Sequence, residues 1–162
     1  MALIQHLSLY VTFATEKSST QIDSYLLKKG LANITGTIEF TLPSNPQHVS
    51  ARAGKHEGLG SSIKLAVDTL RNHMLTHGLS HIDILKMDIE GAEYEVLEQL
   101  VAEKYFPFTQ LLVEFHQRFE SVGEEMHARV LNLLLLNGFT ITHSQNGQEI
   151  SFSKVHTVSS MR

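Results

Sequence analysis

Between Ile82 and Glu93 the chain changes its hydrophobic period, and that change limits the folds open to it. Ile82, Ile84, Leu85, Met87 and Ile89 form a short, nearly continuous apolar run, the composition of a strand covered on both faces. Gly91 breaks the pattern. From Ala92 to about Tyr105 the spacing is helical, with Ala92, Val96, Leu97, Leu100 and Val101 on one side and Glu93, Glu95, Glu98 and Glu103 mostly on the other. A buried strand therefore delivers Asp88 and Glu90 to a helix N-terminus. Ligands of open α/β sheets sit beyond the carboxyl ends of the strands, which makes these acids candidate site residues.

The 162 residues, 42% of them hydrophobic, suffice for one compact domain with a core and argue against two. A net charge of -4 without long basic runs lacks the electrostatic footprint of a nucleic-acid or anionic-membrane binder, so neither partner is expected. Absence of cysteine removes disulfides and thiolate chemistry, and a cytoplasmic location is the expectation. No apolar run approaches the ~20 residues of a membrane span. Leu3 to Ala14 is mildly apolar, but Gln5 and His6 and the lack of a preceding positive charge make it a poor signal peptide.

Upstream of the organising stretch, Leu7, Leu9, Val11 and Phe13 alternate with polar residues as a strand with one buried face. A short helix is predicted over Ile22 to Lys29, capped by Ser19 or Thr20 and stopped by Gly30. Thr37 to Leu42 alternates as a strand ending at Pro43, before a Ser-Asn-Pro turn. Gly54, Gly58 and Gly60 lack the spacing and the preceding buried strand of a dinucleotide fingerprint, and the stretch reads as a plain loop. Ile63, Leu65 and Val67 then form a strand, and Asp68 or Thr69 caps a helix that buries Leu70 and Met74 and stops at Gly78. His73, His77 and His81 recur at helical spacing, a pattern known from zinc sites. The stop at Gly78 leaves His81 outside, however, and the other two sit in the last turn, where histidine suits the helix dipole. No metal site is expected.

Downstream, Phe106 to Phe108 reads as a loop and Gln110 to His116 as a buried strand, with Glu114 and His116 on one side near its end. Strand-helix-strand connectivity places it beside the Asp88 strand, so Asp88, Glu90, Glu114 and His116 share one rim. Gly123 to Asn137 is a helix with Met126, Val130, Leu133 and Leu134 inward; Leu131, Leu135 and Leu136 widen the face toward deep burial or a partner. Phe139 to His143 and Ile150 to Ser153, joined through Asn146-Gly147, form a hairpin. Beyond Val155 a loose tail is expected.

The motif Lys86-Met87-Asp88-Ile89-Glu90-Gly91-Ala92-Glu93 resembles the signature of FkbM-type methyltransferases. The resemblance runs from about Gly36 to Val155. It implies an α/β fold holding part of a Rossmann-like class I methyltransferase sheet, with parallel strands, helices and a C-terminal antiparallel hairpin. It corresponds to the later part of that fold. The Gly-rich first strand-turn-helix and the acidic end of the second strand, which hold most of the cofactor in the family, have no counterpart here. The expected division is an N-terminal segment of open role over 1-30, the methyltransferase-like part over 31-155 and a tail over 156-162.

What the resemblance implies is S-adenosylmethionine-dependent O-methylation of a hydroxyl on a glycan or secondary metabolite. Such transfer needs in-line approach and a group that takes the hydroxyl proton. Asp88, Glu114 and His116 are the candidate catalytic residues, with Glu114 or His116 as base or orienting group; Asp88, Glu90 and Gly91 are the candidate cofactor contacts. Glu93 reads as a first-turn acid that stabilises its helix, and Lys86 as one member of an ion pair. Two other functions compete. Asp88-x-Glu90 is also the pattern of a metal-dependent glycosyltransferase, and the chain also reads as a non-catalytic fragment or interaction module. Without the first strand of the sheet, the Asp88 strand is an apolar edge to be covered by Leu7 to Phe13, a second copy or a missing N-terminal half.

Overall fold

The computed structural model of the protein describes residues 10–18, 21–26, 29–41, 52–53, 62–119 and 122–154. In chain order its elements are β1 (Tyr10–Ser18), β2 (Gln21–Leu26), β3 (Gly30–Leu31), β4 (Gly36–Thr41), β5 (Arg52–Ala53), β6 (Ser62–Asp68), α1 (Leu70–His77), β7 (Ile82–Asp88), α2 (Glu93–Ala102), β8 (Phe108–Glu114), α3 (Gly123–Leu136), β9 (Phe139–Gln145) and β10 (Glu149–Lys154). A larger sheet has the order β2-β1-β7-β8-β10-β9 and a smaller one β3-β6-β4-β5.

The unit β7-α2-β8 is the centre of the molecule, and the sequence pattern explains it. Ile82, Leu85, Met87 and Ile89 are buried, as are Phe108, Leu111 and Val113 on the neighbouring strand. The two strands pair in parallel, with Met87 opposite Val113, so Asp88 and Glu114 end their strands side by side. Val96, Leu97 and Leu100 of α2, Val130 and Leu134 of α3 and Leu70 and Met74 of α1 complete one core with them. Apolar burial at about 25 cal/mol per Å² makes this core the main source of stability.

Helix ends follow the local chemistry. Thr69 caps α1 by accepting the Asn72 N–H at 3.3 Å, and Gly78, at φ 65°, closes it in the left-handed region. Asn137 caps α3. The hairpin turns at Asn146 and Gly147, φ 52° and 69°, and the last strand, β10, enters the sheet between β8 and β9, antiparallel to both.

Three expectations are corrected. The helix predicted over Ile22 to Lys29 is strand β2 over Gln21 to Leu26, because pairing with β1 in a hairpin, Phe13 opposite Tyr25, overrides its local helical spacing. The parallel arrangement holds for β7-β8 and for the two-residue β3-β6 pair, while the other pairings are antiparallel. Phe108 opens β8 rather than closing a loop. The edge of the Asp88 strand is occupied by β1, which runs antiparallel to it with Tyr10 opposite Asp88 and Ala14 opposite Ile84. Leu7 to Leu9, the Ser-Asn-Pro turn, the loop with Gly54, Gly58 and Gly60, and the tail lie outside the described residues.

Candidate active site

The strand ends of β7 and β8 bring the sequence candidates together. Asp88 closes β7, Glu90 and Gly91 form the turn into α2, Glu114 closes β8, and His116 follows two residues later. The turn is conformationally demanding. Glu90 has φ 54°, unusual for a residue with a side chain, and Gly91 has φ 101°. A Cβ on Gly91 would stand 3.1 Å from the Phe119 ring, so close approach and backbone angle both call for glycine.

His116 is the hub. Its side chain is 1% exposed, and its Nε2 lies 3.5 Å from Glu90 Oε2 and 3.9 Å from Asp88 Oδ1. Its Nδ1 donates to Oε1 of Glu93, whose side chain is fully buried. One donor atom each from Asp88, Glu114 and His116 lies within 4.8 Å of the others. Phe119 stacks at a tilt on the imidazole, 5.1 Å between centroids, and fixes its plane.

The electrostatics follow from this burial. Desolvation opposes the imidazolium, but the Glu93 hydrogen bond and the charges of Glu93 and Glu90 outweigh it, and the His116 pKa rises above the ordinary histidine value. Burial is the main reason the Glu90 carboxyl is pushed up; His116 opposes it and Asp88 adds to it. Arg118 supplies positive charge within electrostatic reach of both.

Glu93 is the site residue that sequence reasoning misses: read only as a first-turn acid that stabilises its helix, it does stand in the first turn of α2, but buried and paired with His116. It lies one helical turn before the buried Val96 and Leu97, on the core face of α2. That spacing was the available signal: an acid three and four residues before core positions needs a buried partner. Oε2 of Glu93 has no hydrogen-bond partner among the described residues. Behind it, Tyr94 is buried and its hydroxyl pairs with His127 Nδ1 at 3.1 Å. Lys86, read as an ion-pair member, is exposed on β7. Of the spaced histidines, His73 is buried with Nε2 3.3 Å from the Gly30 carbonyl, and His81 meets Thr109 Oγ1 at 2.9 Å. They form no common cluster.

An α/β unit with acids and a buried histidine at its strand ends has the layout of a domain that binds a ligand at the sheet rim. Residues 4–141 match the family described as the methyltransferase FkbM domain. The chain belongs to that family, as its signature residues imply, and the family sets it among methyltransferases rather than glycosyltransferases. No curated protein and no solved structure matches it. No helix among the described residues is long and apolar enough to cross a membrane.

Proposed function

We propose that the protein is an S-adenosylmethionine-dependent O-methyltransferase whose reaction takes place at the rim formed by Asp88, Glu90, Glu114 and His116. The observation that carries this reading is the buried His116, held by Glu93 and facing the acids at the ends of two parallel strands in an FkbM-family chain. The β7-α2-β8 unit with the β9-β10 hairpin supports a partly Rossmann-like arrangement, and β1 takes the edge position of the strand that would precede it.

The residues fit the polar half of the cofactor. Its sulfonium and ammonium are cationic, and its ribose hydroxyls donate hydrogen bonds; Asp88 and Glu90 offer carboxylates to both, and the side-chain-free Gly91 lets backbone approach. When bound, S-adenosylmethionine would supply an electrophilic methyl on a positively charged sulfur, which would keep the S–C electron pair as the methyl leaves for an acceptor oxygen. The acceptor hydroxyl binds between Glu114 and His116, and its proton passes to a group of this rim. Phe119, packed over His116 and Gly91, keeps water from that side. A hydroxyl of a glycan or secondary metabolite is the acceptor class.

Isothermal titration with S-adenosylhomocysteine tests the reading. Micromolar binding that Asp88→Ala abolishes supports it. A folded chain that binds none of the product overturns it as an autonomous enzyme.

A further inference from the structure

The His116 side chain is 1% exposed, and its Nε2 faces the carboxylates of Glu90 at 3.5 Å and Asp88 at 3.9 Å. Its other nitrogen is already committed to Glu93, which is itself buried. Around it stand Asp88, Glu90 and Glu114. Glu149, directly opposite Glu114 in the β8-β10 ladder, adds a further acid on that face. Like charges set opposite each other across a ladder are destabilising, and among the described residues Arg118 and the imidazole act against the carboxylates around Glu90 and His116. Such a group of donors has the chemistry of a cation ligand set.

We propose that Asp88, Glu114 and His116 bind a divalent transition-metal ion, with Glu93 as the positioning residue that aims His116 Nε2 at it. A histidine that ligates a metal commonly gives its other N–H to a carboxylate, which fixes ring orientation and raises ligand basicity. The Glu93–His116 pair is that arrangement before any ion is considered. Donor atoms within 4.8 Å of one another stand somewhat wider than the ~3 Å spacing around an ion bound at ~2.1 Å. The histidine is fixed, whereas Asp88 and Glu114 are only partly buried and can turn inward to close the gap. One imidazole with two carboxylates suits manganese or zinc better than magnesium, which favours oxygen alone and keeps its water. Three protein donors leave positions open on a six-coordinate ion. Use of an open position by the acceptor hydroxyl rests on the methyltransferase reading; the ion site itself does not.

Manganese(II) chloride added to the purified chain without cofactor tests the site by electron paramagnetic resonance. The expected result is saturable loss of the free-ion signal with one ion per chain. Asp88→Asn, Glu114→Gln and His116→Gln weaken it by more than about tenfold, and Glu93→Gln by about 10- to 100-fold although Gln keeps the shape and an acceptor. Glu103→Gln, at the far end of α2 where Glu103 pairs with Arg71, changes the affinity by less than about threefold, a shift under ~0.7 kcal/mol by RT ln of that ratio. An unchanged free-ion signal with folded wild-type chain overturns the proposal and leaves a proton as the partner of Nε2. Equal losses in Glu103→Gln and Glu114→Gln also overturn it, because they describe diffuse attraction to a negatively charged chain. Should a variant not fold, the wild-type chain still decides: manganese must broaden the His116 ring resonances selectively among the histidines, and broadening centred elsewhere sinks the site. Cofactor titration is a separate measurement, so a failure of either reading is recognisable.

Discussion

Glu90 and Glu93 show how a single turn assigns different roles to neighbouring acids. Glu90 sits at φ 54°, where a side chain costs about 1–2 kcal/mol relative to glycine. Nothing in helix or strand formation asks for Glu there, so the strain points to use of its carboxylate. Glu90→Gly is expected to be at least as stable as wild type in thermal unfolding, while binding S-adenosylhomocysteine more weakly. A fall in melting temperature together with unchanged binding would assign Glu90 a structural role. Gly91 gives the opposite case. Its φ is 101°, and an added methyl would stand 3.1 Å from the Phe119 ring, so Gly91→Ala is expected to cost about 1–3 kcal/mol in urea denaturation. Asp88, Glu114 and His116 were legible in the sequence because each stands at the end of an apolar run, where alternation and strand order define the rim. The pairing of Glu93 with His116 was not, since it joins α2 to the segment after β8 and depends on how far the helix rolls onto the sheet.

At the scale of elements, Asp68 ties the small sheet to α1. Its carboxylate accepts from Thr35 Oγ1 at 2.7 Å, Asn72 Nδ2 at 2.7 Å, Lys29 Nζ at 2.9 Å and the Thr69 N–H at 3.0 Å. The Thr35 hydroxyl, chiefly, then Asn72, Lys29 and Thr69, hold its pKa well below the usual carboxylate range against the opposing effect of burial. A folded-state pKa lowered in this way gives stability that is present above the unfolded value near ~3.9 and is lost as pH falls toward the folded one. Asp68→Asn is therefore expected to be less stable than wild type at pH 7, with the difference in urea midpoint shrinking as the pH drops below about 4. A difference independent of pH would mean that packing, not charge, makes the tie. The capping role of Thr69 and the stop at Gly78 were readable locally, because each is satisfied within one turn of chain. The partners Lys29 and Thr35 come from across the small sheet, and no spacing in the sequence announces them. For the same reason the sequence suggests a helix where β2 lies: its spacing is compatible with either period, and the decision belongs to its pairing with β1.

Across the whole molecule, the antiparallel placement of β1 on β7 changes what the N-terminal segment is for. The Asp88 strand is apolar and central, and without β1 its free N–H and C=O groups would form an unprotected edge beside the rim. The sequence required something to cover that edge but could not select the cover, because a strand from the same chain, a second copy and a missing half all satisfy the same backbone groups. With residues 10–14 paired there, the same chain supplies the cover, and it does so beside Asp88, which faces Tyr10 in the register. A chain beginning at Lys29 should therefore expose β7. The expected outcome is concentration-dependent self-association in light scattering, absent or weaker in the full chain, together with faster hydrogen exchange of the β7 amides that face β1. Exchange in β7 that is unchanged by the truncation would mean that β1 contributes little protection in solution. The position of Asp88 would then be set by β8 and the core alone.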